Sequence, residues 1–253
     1  MRIITWNING LQSALKRGAL DAVDALEPDI ACIQETRTQE APVIWDGWHH
    51  CWNNGTRKGF WGCCTLSKQR PLASDTSLGD AALDAEGRFI CLELQSFYLL
   101  CVYCPAPTAH GGLRRRAVRQ RFDDLLLRRV RALMGSKPVI VCGDMNTTVS
   151  DDDFYVESIH QGEYDEYWVE ETRDGLLALL DEGLVDAYRH LHPCGPSPHT
   201  WWAQRRNRRA AGRGWRLDYF FVDERIASCI EDVRILGNVT GSDHCPVLLD
   251  IAL

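Results

Sequence analysis

The first 35 residues constrain the fold more than any other stretch. Ile3, Ile4, Thr5 and Trp6 are β-branched or aromatic, and the run breaks at Asn7-Ile8-Asn9-Gly10, which predicts a strand over 2–8. Residues 13–27 place Leu15, Ala19, Val23 and Leu26 at helical spacing, and Pro28 stops that helix. Asp29-Ile30-Ala31-Cys32-Ile33-Gln34-Glu35 is a second apolar strand, and it ends in a carboxylate. A strand–helix–strand unit of this kind puts Asn7 and Glu35 at corresponding strand ends, on the edge where ligands of open α/β sheets bind.

The same theme returns later. Val139-Ile140-Val141-Cys142 runs into Gly143-Asp144-Met145-Asn146, and the strand predicted over 214–222 carries Asp218. Two strands at hairpin spacing, 88–94 and 97–103, end on Tyr103, and Cys104-Pro105-Ala106-Pro107 follows. Gly241-Ser242-Asp243-His244-Cys245-Pro246 sets an acid beside a histidine just before a final strand, 247–252. Alone, an Asp-His pair reads as an ordinary turn. Among several polar strand ends it also reads as a proton carrier with a water- or metal-facing carboxylate. Long amphipathic spacing predicts a helix over 113–134, and shorter ones over 173–182 and 224–232. Residues 151–171 read as a loop, 183–187 as a connection and 233–236 as a strand. The two halves echo one another as β-rich layers, which predicts an α/β fold of one domain, 1–253, with two sheets face to face and helices outside.

Charge is unevenly spread. The net charge of −7 argues against nucleic acid, but six arginines and no acid lie between Trp201 and Leu217. Eight more arginines lie between Leu113 and Arg131, while nine carboxylates and no Lys or Arg fill 151–171. A local basic patch matters more to a phosphate backbone than the total does, although arginine-rich faces are also ordinary solvated surfaces. The 11 cysteines are an odd number, and several sit inside apolar strands, the pattern of reduced thiols in an intracellular, cytoplasmic protein (nucleoid-associated in a prokaryote). Cys101 and Cys104 match C-x-x-C, but in a strand, positions three apart face opposite ways. No run of about 18 apolar residues predicts a membrane span.

Taken in order, six motifs closely resemble the exonuclease III family of abasic-site endonucleases, within the wider endonuclease/exonuclease/phosphatase superfamily. They are Ile4 to Gly10, Ile33-Gln34-Glu35-Thr36, Tyr103 with Pro105, Cys142 to Asn146, Gly214-Trp215-Arg216-Leu217-Asp218-Tyr219, and Gly241 to Pro246. The resemblance implies a four-layer α/β sandwich of two mixed sheets. It implies a monomeric, Mg²⁺-dependent DNA-repair hydrolase, with Mn²⁺ as a substitute, that cuts double-stranded DNA at abasic sites and trims blocked 3′ ends. Laid on this chain, the family pattern makes Glu35 the main metal ligand, with Asn7 and Asp243 near the metal or its waters. Asp144 would activate the attacking water and Asn146 would position it. His244, oriented by Asp218, would face the phosphate, and Tyr103 would support the phosphate or leaving group. Trp201, Trp215 and Leu217 would form the apolar slot for a base-less sugar.

The chain also departs from that pattern. Ala106 stands where the family has Asn, and the segment 151–171 is acidic where the family is basic. Two other readings stay open: a phosphoesterase acting on a small phosphorylated molecule, and a nucleic-acid-binding relative without activity.

Overall fold

The central strands are apolar on both faces, so each sheet must be covered on both sides. The computed structural model describes residues 1–106, 112–155, 167–204 and 208–253. In it the strands are β1 (Arg2–Asn7), β2 (Ile30–Gln34), β3 (His49–Asn53), β4 (Cys63–Ser67), β5 (Ala73–Asp75), β6 (Phe89–Glu93), β7 (Tyr98–Tyr103), β8 (Val139–Asp144), β9 (Leu184–Asp186), β10 (Asp218–Asp223), β11 (Ile230–Ile235) and β12 (Val247–Ile251). They form two six-stranded sheets, ordered β11-β12-β1-β2-β4-β3 and β5-β6-β7-β8-β10-β9. Both are mixed: β1–β2 and β7–β8 run parallel, and their other neighbours antiparallel.

Strand alternation decides the layers. Ile3 of β1, Cys32 of β2, Leu99 and Cys101 of β7, Cys142 of β8 and Phe220 of β10 pack together between the sheets. The intervening Ile4 and Trp6 turn outward beneath α1 (Leu11–Lys16) and α2 (Ala19–Asp24). On the other side, Leu100, Val102, Val141 and Phe221 turn outward beneath α4 (Gly112–Met134) and α5 (Tyr167–Asp181). Two short helices, α3 (Ala81–Asp84) and α6 (Ala187–Leu191), complete the described set. The result is the expected four-layer α/β sandwich. No described helix is long and apolar enough to cross a membrane.

Several boundaries differ from expectation for local reasons. The single helix over 13–27 is two, divided at Gly18, whose φ of 66° is left-handed. The connection at 183–187 contains an edge strand, β9, paired to β10. The helix over 224–232 is a 3-10 turn, Glu224–Cys229, that gives way to β11. The acidic segment is not wholly loop: it begins with the 3-10 turn Asp151–Asp153, and α5 starts within its far end. Cys101 and Cys104 belong to different apolar layers, as alternation predicts, and every cysteine is a free thiol.

Candidate active site

The polar strand ends are the rim of the inter-sheet core. Asn7, Tyr103, Asp144 and Asp218 share the parity of core residues on their own strands, so each projects between the sheets where the apolar run stops. Pairing brings them together: Tyr103 is in register with Asp144, and Asp144 with Asp218. Gly143 permits this approach. Its φ is 139°, and a Cβ there would lie 1.8 Å from the Val102 carbonyl oxygen.

His244 lies at the centre, 5% exposed, between two buried carboxylates. Its Nδ1 is 2.8 Å from Asp218 Oδ2, and its Nε2 is 3.8 Å from Asp144 Oδ2. Burial alone would lower its pKa, but Asp218 and Asp144 reverse that and raise it to about 10. Asp144 is pushed up to about 7 by burial, opposed by His244 and reinforced by Asp218. Its Oδ2 accepts from Asn7 Nδ2 at 2.8 Å and Asn146 Nδ2 at 3.3 Å, and its Oδ1 accepts from the Asn146 amide at 2.9 Å. Asn146 also donates to the Cys104 carbonyl at 2.9 Å. Asp218 is held through its backbone, since Thr200 Oγ1 accepts from its amide at 3.1 Å. Its second oxygen, Oδ1, is buried without a hydrogen-bond partner among the described residues.

Glu35 follows β2 in a left-handed turn with φ 57°, and Arg37 Nη2 donates to its Oε1 at 2.5 Å. Burial and then Glu35 push the Tyr103 phenol well above its usual range. Asp243 accepts from Asn9 Nδ2 at 2.7 Å and from Trp201 Nε1 at 3.3 Å. Burial opposes its ionisation, but His244 and these donors hold its pKa below the usual carboxylate range. Among the described residues, the one group of three close metal-capable side chains is Asp144, Asp218 and His244. Glu35 and Asp243 stand outside it. His199 is not in it either; its Nδ1 accepts from the Gly214 amide at 3.2 Å.

Beside the acids lies an aromatic wall. Trp215 bridges Trp201 on one side and Phe154 on the other, and Trp201 bridges His244. The expected open slot is largely filled: Trp215 is 1% exposed and Leu217 4%, with the Phe154 and Trp215 rings 5.4 Å apart. Trp201 alone of the expected three is partly exposed. The wall is therefore packed from within; the Trp201 ring lies 6.4 Å from the His244 ring, centroid to centroid, and its Nε1 faces Asp243.

The arginine-rich stretches are mostly not free faces. Arg216 is buried, and its guanidinium spans Asp153 and Asp186, with Nη2 at 2.9 and 2.6 Å. Arg208 is also buried. Arg205 and Arg206 lie outside the described residues. On α4, Arg119 is buried against Asp123 and donates to the Met145 carbonyl at 2.7 Å, while Arg121, Arg129 and Arg131 pair with Asp80, Asp75 and Glu182. Sequence reasoning missed Asn9, Arg37, Phe154 and Thr200 at the site. Asn9 and Arg37 each sit two residues beyond a chosen strand end, a spacing that could have flagged them. Phe154 and Thr200 arrive from distant loops with no local signal.

A profile of the Endonuclease/Exonuclease/phosphatase family matches residues 4–244. The exodeoxyribonuclease of Bacillus subtilis (strain 168) is 35% identical over 254 residues, covering 99% of each chain. The DNA-(apurinic or apyrimidinic site) endonuclease of Dictyostelium discoideum is 32% identical over 98% of this chain and 69% of its own. Among solved structures, a 3′ phosphatase from Neisseria bound to a product DNA hairpin superposes over the whole of both chains, with a TM-score of 0.88 and 25% identity. With the profile spanning nearly the whole sequence and a 35% identical relative matched over 99% of both chains, the chain belongs to the endonuclease/exonuclease/phosphatase family.

Proposed function

We propose that this chain is a divalent-metal-dependent nuclease that hydrolyses the DNA backbone at abasic sites and trims blocked 3′ ends. The observation that carries this is the buried Asp218–His244–Asp144 relay, with Asn7 bonded to Asp144 and Glu35, one residue beyond the Gln34 that pairs with Asn7, acting with Asp144 on Tyr103. The names of the relatives support DNA as the substrate and both activities.

The donor set suits a hard cation. Glu35, Asp243 and the Asn7 carbonyl offer only oxygen, the donor that Mg²⁺ prefers. The nearby Cys245 thiol is buried and pushed far above its usual pKa, so it does not compete as a thiolate. These three residues would hold the ion, which neutralises phosphate charge and stabilises the leaving oxygen. The remaining work falls to the side chains. Asp144, with its oxygens fixed by Asn7 and Asn146, takes the proton of the attacking water. His244 stays protonated at neutral pH because two carboxylates flank it, and donates from Nε2 to a phosphate oxygen. Asp218 fixes the imidazole through Nδ1. Tyr103, kept as a neutral phenol, donates to the phosphate or leaving group. Trp201, the partly exposed member of the wall and backed by Trp215, Leu217 and Phe154, is the surface against which a base-less sugar would pack.

The test is incision of a duplex carrying one abasic analogue. A single nick with Mg²⁺ and none with chelator is expected, and Glu35→Gln should raise the Mg²⁺ concentration required. Nicking that survives chelation, or turnover of inositol phosphates in place of DNA, overturns the reading.

A further inference from the structure

The segment 237–242 that leads into Asp243 and His244 has little regular structure of its own. It is gripped from outside. Arg209 lies in a turn closed by the Gly212 and Arg213 amides, and its guanidinium turns back onto the segment. Nη2 donates to the Gly237 carbonyl at 2.9 Å and the Val239 carbonyl at 2.5 Å, and Nη1 to the Ser242 carbonyl at 3.2 Å. The guanidinium carbon sits 4.4 Å over the Trp202 ring. Trp202 is itself 8% exposed, and its amide donates to the Asp243 carbonyl at 3.0 Å. One stacked pair thus holds the segment at both its start and its catalytic end. A cavity of about 540 Å³, lined by Ser13, Arg17, Trp202, Arg209 and Ser242 among others, adjoins the segment on one side, while on the other Val239 packs on the outer apolar cluster, Arg17 Nη2 donates to the Gly241 carbonyl at 2.5 Å and Ser242 Oγ to the Asn7 carbonyl at 2.8 Å.

We propose that Arg209, seated on Trp202, is a positioning residue that fixes Asp243 and His244 by holding the carbonyls of Gly237, Val239 and Ser242. The reaction part of this rests on the reading of His244 as the phosphate-facing donor. Planarity matters. A guanidinium presents several donors in a fixed fork and stacks on an indole, whereas an ammonium is a point charge. Lysine therefore restores the charge but not the grip.

The experiment compares Arg209→Gln and Arg209→Lys with the wild-type protein. Thermal midpoints first show that each variant folds. In Arg209→Gln, the NMR signals of the His244 ring, recorded without DNA or divalent ion, should broaden or shift. Turnover on the abasic duplex should fall between about ten- and a hundredfold, as for a small misplacement of reacting groups. KM should stay within about a factor of two, because the interaction lost is not with substrate. Arg209→Lys should recover only part of the rate. A raised KM with kcat unchanged would make Arg209 a DNA contact and overturn the proposal. So would His244 signals identical to wild type. Shifted His244 signals in a protein that does not cut DNA would instead refute the nuclease reading and leave the positioning role standing.

Discussion

At the scale of single residues, the site is a contest between burial and charge. His244 would lose its proton if only desolvated, yet Asp218 at 2.8 Å and Asp144 at 3.8 Å keep it charged. Its folded pKa therefore lies above the ordinary value of about 6.5. The stabilisation that follows is fully present below that value and is lost as pH rises through about 10. An NMR titration without added metal should show the imidazolium persisting through neutral pH; a midpoint near 6.5 would contradict it. If Asp218 acts through His244, then His244→Ala and Asp218→Ala should each lower turnover by at least about 10², with the double variant little worse than the poorer single one. Fully additive losses would mean independent roles. Trp215→Ala is expected to act mainly on stability, since the ring is buried beneath the wall, and should cost about 3–5 kcal/mol in chemical denaturation.

At the scale of elements, strand ends are tied down by buried ionic and steric devices. Arg216, one residue from Leu217 and two from Asp218, anchors the entry to β10 through Asp153 and Asp186. Arg216→Met leaves Asp186 with backbone donors alone and Asp153 with Arg189 as its one remaining ion-pair partner among the described residues, and should destabilise by about 3–5 kcal/mol at neutral pH. Burial would raise the Asp153 pKa, but Arg216 and its other donors bring it below the usual carboxylate value. Its contribution is therefore present above that value, about 3.9, and is lost as pH falls through the folded pKa. The gap between wild type and variant in urea midpoint should narrow in acid; a constant gap would show that packing, not charge, is what was lost. Gly143→Ala is a second element-scale test. No methyl fits 1.8 Å from the Val102 carbonyl, so β7 and β8 must separate, and loss of the folded state is expected by circular dichroism.

At the scale of the molecule, what matters is which arginines remain for a polyanion. Those of α4 that pair with Asp80, Asp75 and Glu182 already have carboxylate partners and lie on an outer layer. Neutralising Arg121, Arg129 and Arg131 together should leave the slope of log affinity against log salt unchanged for duplex DNA. Each real phosphate contact removed lowers that slope by about 0.9. A drop of two or three such steps would place DNA across α4 and overturn this assignment.

The order of strand-end motifs was legible because it rests on local rules. Alternation assigns Asn7, Asp144 and Asp218 to the same face as Cys32, Cys142 and Phe220, and an apolar run that stops on a polar residue marks a rim. Those rules also supported two sheets with helices outside. Only the tertiary structure decided how the ends meet. The 2.8 Å contact of His244 with Asp218 spans 26 residues, and that of Asn7 with Asp144 spans 137. No window of sequence carries such distances, because they are set by how one sheet seats on the other. The same holds for the arginines. Arg209 and Arg216 read alike as basic residues in one stretch, yet one folds onto an indole and three carbonyls and the other onto two buried acids. Charge type is local, but the partner of a charge depends on what the remainder of the chain brings within 4 Å, which the conventional reach of an ion pair limits to a few neighbours.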